Sequence, residues 1–328
     1  MKNITFLGVD VGNSDTKSSN TTFPSGYEGP YPTKPMLSEH YLYFNGKYYA
    51  PSVDSMLYQK DKTTDERGII LTLISIAKEL ISTYSKKEEG DSTKIQARIA
   101  ATTQIALGAG LPVSHYKKAL VDNLINYYSK YMGDGVEFEY DGYQFSFKMV
   151  FCRIYPQGGA AAACKENKIT SIFNTYYVID IGGYTVDVAQ FQNGRPSKDC
   201  FSVEIGAIVM FDKIAEKVSV DYDITIDQEL IKTVLSGGAT ILPDEVKNLI
   251  FAMSQKHANE VINALRQRKI MFDSHPVLFV GGGSILLKKY ILDNPLIKKE
   301  ATQFIMDPKA NAKGYKRLVY ADYSSTSA

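Results

Sequence analysis

Val178-Ile179-Asp180-Ile181-Gly182-Gly183-Tyr184-Thr185-Val186-Asp187 is the stretch whose reading decides the fold. Tyr177 to Asp180 reads as a buried strand. Two glycines follow at once, then Thr185, then a second apolar strand from Val186 to Phe191. The chain therefore turns tightly on Gly182-Gly183 and runs back as a neighbour. Glycine permits backbone angles that other residues resist and leaves room for a ligand against the main chain. Successive N–H groups in such a turn form an anion nest. Asp180 stands at its lip, where a carboxylate can hold a hydrated metal. The stretch has the parts of a phosphate and magnesium site.

The same grammar recurs near the N-terminus, in Phe6-Leu7-Gly8-Val9-Asp10-Val11-Gly12-Asn13-Ser14-Asp15-Thr16-Lys17. An apolar strand is followed by Asp, an apolar residue, Gly, polar turn residues and Thr. Lys17 is added after it. Two such hairpins imply two similar halves facing one ligand, an internal duplication.

Composition bounds the rest. The 328 residues suffice for two domains. Hydrophobic residues at 44% and charged residues at 22% are a soluble globular mix, and a net charge of +1 offers no basic excess for nucleic acid or membrane. Cys152, Cys164 and Cys200 lack metal spacing and read as reduced thiols of a cytoplasmic protein. No apolar run is expected to span a membrane, and no signal-peptide pattern is seen. The four scattered histidines, His257 and His275 among them, form no metal cluster.

Taken in order, residues 4–11 read as a strand and 18–60 as a small β-rich insert with a hairpin at Asn45-Gly46. Apolar residues at helical spacing predict a helix over 66–85. Lys86 to Lys94 reads as a charged turn, Ile95 to Thr102 as a strand, and Gly108 to Pro112 as a loop. A helix is expected over 114–131, and a hairpin of Val136–Tyr140 with Phe145–Phe151 around Asp141-Gly142. At Tyr155-Pro156-Gln157-Gly158-Gly159 a strand ends and a helix of small residues starts near Gly158. Phe201 to Ile208 reads as a strand ending near Gly206, Val209–Val218 as a helix, and Asp227-Gln228-Glu229 as an acidic helix start. Pro243–Lys269 has long helical spacing. The strand Val277–Val280 runs into Gly281-Gly282-Gly283-Ser284, then a helix from Ile285; bare backbone there admits a flat ligand. Asn311 to Tyr315 opens a final helix before a polar end expected to fray.

In this order the motifs resemble the actin and sugar-kinase superfamily. The first Asp-x-Gly hairpin is similar to its first phosphate loop and the Tyr155–Ala163 corner to its first connecting helix. The central hairpin resembles its second phosphate loop, Phe279–Ser284 its adenosine loop, and Asn311–Tyr315 its second connecting helix. Within the superfamily, the length and the Pro-Gln-Gly corner look most like the ParM-type actin-like proteins of plasmid segregation and their archaeal relatives; the cell-shape actins, similar in length, stay open. Sugar kinases are longer and need a catalytic carboxylate, for which no candidate sequence stands out. Membrane-binding relatives carry an amphipathic C-terminal helix, and the polar tail from Ala321 to Ala328 is too short for one.

The resemblance implies an α/β, actin-like ATPase fold: two similar, ribonuclease H-like domains around a nucleotide cleft, each with a smaller subdomain. Domain I would cover 1–164 with a β-rich subdomain at 18–65. Domain II would cover 165–304 with a helical subdomain at 207–270, and 305–328 would return to domain I. Asp10 and Asp180 would hold Mg²⁺ through its waters. Gly12, Asn13, Ser14, Asp15 and Lys17, with Gly182, Gly183, Tyr184 and Thr185, would hold the phosphates of ATP, with GTP as the alternative. Gln157 would orient the attacking water. Gly281, Gly282, Gly283 and Ser284 would receive the adenosine, with Asn311 near it and Lys213, Glu216 and Glu229 toward the base or ribose. The implied function is a slow ATP hydrolase that forms head-to-tail filaments and positions or segregates plasmid DNA. It would do so through a DNA-binding adaptor of ParR type, without touching nucleic acid or membrane itself. A small-molecule kinase and a non-polymerising nucleotide-binding regulator on the same fold stay open as alternatives.

Overall fold

The computed structural model describes residues 4–36, 38–52, 54, 56, 59, 61–163, 168–197 and 200–326. Cys164, one of the three expected free thiols, lies outside them. The chain divides into two compact units, Met1–Cys164 with Lys309–Ala328, and Lys165–Pro308.

The first unit opens with β1 (Ile4–Gly8), the hairpin β2 (Asp10–Val11) and β3 (Asp15–Lys17), and β4 (Thr22–Pro24). The β-rich part follows as β5 (Tyr27–Tyr31), β6 (Leu42–Phe44) and β7 (Lys47–Pro51). Then come α1 (Arg67–Lys87), α2 (Ser92–Ala100), β8 (Gln104–Leu111), α3 (Lys118–Met132), β9 (Val136–Tyr140), β10 (Tyr143–Pro156) and α4 (Gly159–Ala162). Seven strands form one sheet in the order β1-β8-β10-β9-β6-β7-β5, and β2-β3-β4 form a second. β10 joins the two parts of the large sheet. Its first residues pair antiparallel with β9. The rest pairs parallel with β8, from Lys148↔Gln104 to Pro156↔Leu111.

Two expectations fail between residues 92 and 111. Ile95 to Thr102 is not a strand. Asp91 accepts the Thr93 and Lys94 N–H groups and caps α2, whose buried residues Ile95 and Ile99 lie four apart on one helical face. The strand is instead β8, which includes the glycines read as a loop. α1 is buried on nearly every side from Gly68 to Ala77. The Tyr127 hydroxyl of α3 accepts the Ile69 N–H at 2.8 Å and donates to the Asp65 carbonyl, satisfying a helix-start donor. Contrary to the expectation of no spanning run, α1 is long and apolar enough to cross a membrane, with mean hydropathy 1.3 over an 18-residue window. That window is 67% buried in the structure, as for a core helix.

The second unit contains α5 (Ile169–Ile172), β11 (Thr175–Ile181), β12 (Val186–Gln192), β13 (Arg195–Pro196), β14 (Phe201–Val203), α6 (Ala207–Tyr222), α7 (Gln228–Leu235), α8 (Asp244–Gln267), β15 (Val277–Val280), α9 (Gly282–Leu292) and β16 (Thr302–Phe304). Its sheet runs β13-β12-β11-β15-β16, with β14 on β12. β11, β15 and β16 are parallel, and β12 is antiparallel to β11. Ile179, Ile181, Val186, Val188 and Phe279 pack with Ile208, Phe211 and Ile214 of α6 and Ile250, Val261 and Ile262 of α8 in one core. The strand expected over Phe201–Ile208 ends at Val203, and α6 starts two residues earlier than expected. α9 starts at Gly282, not Ile285, so the glycines are its cap and first turn.

The last helix, α10 (Ala310–Thr326), belongs to the first unit and packs on β1, β8 and α4. The polar end expected to fray is helical through Thr326. Phe6 of β1 meets Tyr320 and Tyr323 edge to face at 5.0 and 5.7 Å, and these rings hold the last turns down.

Candidate functional site

In the first unit, β2 and β3 pair with Asp10 opposite Lys17 and Val11 opposite Thr16. Directly opposed residues share a face, as do residues two apart on one strand. Asp10, Asp15 and Lys17 therefore lie on one face and Val11 and Thr16 on the other. The second face is internal: the Thr16 hydroxyl is 2.8 Å from that of Ser25, and Val11 packs on the core. On the first face Lys17 is 3.9 Å from Asp15. The turn is tight, since the Gly12 N–H reaches the Asp15 carbonyl at 3.0 Å. A β-carbon on Gly12 would stand 2.6 Å from that oxygen, so the position excludes any side chain. Lys62 donates to the Val11 carbonyl, and the Gln59 N–H points at Asn13 Oδ1 from 3.5 Å. The Ser14 hydroxyl donates to Asp15.

Asp10 is buried, and Gln157 donates from Nε2 to its Oδ1 at 2.9 Å. The amide thus sits at the end of β10, where the sequence put it, and touches the first loop. Gly158 has φ +73° and caps α4. Its N–H donates to Asn311 Oδ1 at 2.9 Å. Asn311, expected near an adenosine, is buried at this corner of the first unit, and its side-chain oxygen fixes the bend that carries Gln157.

In the second unit, β11 and β12 turn over Gly182 to Thr185. The carbonyls of Gly182, Gly183 and Tyr184 accept N–H groups from Ala207, Ile208 and Gly206 at the start of α6, at 3.0, 2.8 and 3.0 Å. A peptide's C=O and N–H point in opposite directions. Committing these carbonyls to α6 turns the N–H groups of Gly183, Tyr184 and Thr185 to the opposite side. The Thr185 hydroxyl donates to Asp187 at 2.9 Å, so its proton is directed to a carboxylate.

Asp180 and Asp187 are register partners, both buried. Like charges placed directly across a strand pair repel. Asp187 is relieved by the hydroxyls of Thr185 and Ser202. A hydrated cation beside Asp180 would relieve the pair further, so the donor set fits Mg²⁺. Gly281 has φ +90°, and a β-carbon there would strike Asp180 Oδ1. Gly283 packs on Ile181, whereas Gly282 faces open space, as contact with a flat group requires. The Ser284 hydroxyl is buried and donates back to the Val280 carbonyl at 2.5 Å, so it closes the helix start.

Lys213 of α6 pairs with Glu260 of α8 at 3.7 Å, and Glu229 pairs with Lys232 within α7. These are exposed pairs. Residue reading missed Asp187 and Lys62. Asp187 had a signal, an Asp between two valines at matching distance from the turn on the returning strand. Lys62 had none, since a lysine in a polar segment reads as solvated.

With fold and loops described, the class follows: the chain has the actin-like fold. Residues 178–293, which hold the second loop and the glycine turn, match the family model described as archaeal actin homologue MreB-like, C-terminal. An archaeal actin homologue superposes with TM-score 0.71 at 18% identity over 97% of this chain and 100% of that chain, and has also been solved with ADP. ParM of Bacillus thuringiensis with ATP gives TM-score 0.66 at 12% identity over 98% and 100%. A 15-stranded ParM filament from Clostridium botulinum gives 0.69 at 16% over 97% and 100%. A search of the curated proteins found no match.

Proposed function

We propose that this chain is an ATP-hydrolysing, filament-forming, cytoplasmic protein that positions or segregates DNA through a DNA-binding adaptor of ParR type. The observation that carries the reading is the Gln157 amide, 2.9 Å from Asp10 beside a glycine turn, on a chain with a second Asp-x-Gly turn at Asp180. ATP is preferred to GTP in this reading because two of the similar structures hold ATP and ADP. Asn13 to Asp15 and Gly183 to Thr185 would offer backbone N–H groups to the phosphates, while the N–H groups of Gly12 and Gly182 close their own turns onto the carbonyls of Asp15 and Thr185. Lys17 adds a charge-assisted contact. Bound Mg²⁺, held through water by Asp10 and Asp180, would supply charge neutralisation at the phosphates.

The rest of the chemistry belongs to the chain. Gln157 directs an N–H to Asp10 and keeps its carbonyl oxygen to accept from a water. An amide takes no proton at neutral pH, so the residue orients water and does not deprotonate it. Hydrolysis of this kind is slow, which suits a timer. Binding that favours one conformation strengthens head-to-tail contacts, and loss of the terminal phosphate weakens them.

Light scattering with phosphate release on adding ATP and Mg²⁺ tests the proposal. A rise followed by decay is expected. No rise at any protein concentration, with phosphate passed to a small molecule, would turn the reading to a kinase. Co-sedimentation with DNA should require the adaptor.

A further inference from the structure

Glu79 lies in the middle of α1 and is 2% exposed. Its carboxylate takes three donors from one short turn. The Ser18 hydroxyl reaches Oε2 at 2.7 Å and the Asn20 N–H reaches the same oxygen at 2.8 Å. The Asn20 side-chain amide reaches Oε1 at 2.9 Å. Lys316 of α10 stands 3.8 Å from Oε1. The turn is also closed on itself: the Ser18 N–H donates to the Thr21 carbonyl, and the Thr21 N–H to the Ser18 hydroxyl.

A buried carboxylate is a costly way to hold a turn that already holds itself. Its value lies in what the turn terminates. Ser18 follows Lys17, the last residue of β3, which stands opposite Asp10 on the face shared with Asp15. Lys17 has a long flexible stem, so the position of its ammonium depends on where its backbone is pinned. Glu79 pins it from one side only, at the residue after the lysine. The β2–β3 pairing pins it from the other.

We propose that Glu79 is a positioning residue for Lys17, setting the reach of its ammonium to the terminal phosphates; this rests on the nucleotide reading above. Glu79 touches no ligand. It acts by fixing the end of β3 against α1 and α10.

The test is a double-mutant cycle on the full chain, with ATP and Mg²⁺ affinity read by calorimetry and folding by thermal unfolding. Glu79→Gln places an amide N–H₂ among the Ser18 and Asn20 donors. It should weaken ATP binding on the order of tenfold, the scale of one charge-assisted contact. In a Lys17→Ala background the same change should cost nothing more. Ser18→Ala and Asn20→Ala each remove one donor and keep the carboxylate, so they serve if Glu79→Gln fails to fold. Each should weaken binding by a smaller factor that also disappears in the Lys17→Ala background. Losses that multiply in the double variants would overturn the proposal, as would wild-type affinity in the folded single variants. A wild-type chain that binds no ATP would instead overturn the nucleotide reading itself.

Discussion

Gly206→Ala is the most direct perturbation of the second loop. Gly206 caps α6 with φ −73° and ψ −178°, angles that alanine adopts freely, so the backbone gives no reason for glycine. The reason is space. A β-carbon at residue 206 would lie 2.5 Å from the Gly183 carbonyl carbon and 2.6 Å from that of Tyr184, both backbone atoms. Ordinary contact starts at 3.4 Å, so loop and helix must part by about 1 Å. The separation strains the bonds from Gly206, Ala207 and Ile208 to the loop carbonyls. Overpacking of this kind costs about 1–3 kcal/mol of stability. Its effect on function is larger, because a misplacement of about 1 Å at a reacting group costs on the order of 100-fold in rate. Urea unfolding and ATP-dependent phosphate release on the same preparation separate the two. Gly237→Ala is the control: its φ of +76° strains alanine, yet no atom lies within 4 Å of the new methyl. It should lose stability and keep phosphate release. A Gly206→Ala protein that hydrolyses ATP at the wild-type rate would refute the argument that α6 holds the loop in shape.

Asp180→Ala should abolish phosphate release, and unchanged release would remove Asp180 from the site. Gln157→Ala strips a donor from buried Asp10 at a cost of about 1–3 kcal/mol, measurable by urea unfolding, and should prolong ATP-induced scattering. Burial holds the His257 imidazole below its ordinary 6.5, with Glu260 and Lys213 nearby as opposing lesser influences. The folded state therefore binds fewer protons than the unfolded chain, so stability present above pH 6.5 is lost as pH falls; His257→Leu should flatten that slope between pH 7.5 and 5. Burial pushes the Cys152 thiol up to about 12 from 9, so Cys152 should resist alkylation until urea exposes it. Between pH 9 and 12 the unfolded chain releases a proton that the folded chain keeps, and stability should fall across that window.

Local pattern was enough for the second unit's centre. Val178 to Phe191 reads as a hairpin because both strands are apolar and a glycine pair sits between them, and β11 and β12 pair in that register. The same logic misread β8, and the cause lies far away in the chain. Gly108 and Gly110 look like loop residues because glycine weakens an isolated strand. In the fold, a β-carbon at residue 108 would stand 2.6 Å from the Tyr315 carbonyl oxygen, and one at residue 110 would overlap the Tyr315 ring. Gly314 meets the Ala160 carbonyl carbon at 2.5 Å in the same sense. These glycines record where α10 crosses β8 and α4 at backbone distance, a demand set by residues some two hundred positions later. Tyr315 also stacks on Tyr155, two residues before Gln157, with centroids 6.1 Å apart. The close crossing and the Asn311 bond to Gly158 therefore act on one object, the bend that aims Gln157 at Asp10. Strand glycines and a buried asparagine, opaque one at a time, make sense together as the support of a single side chain.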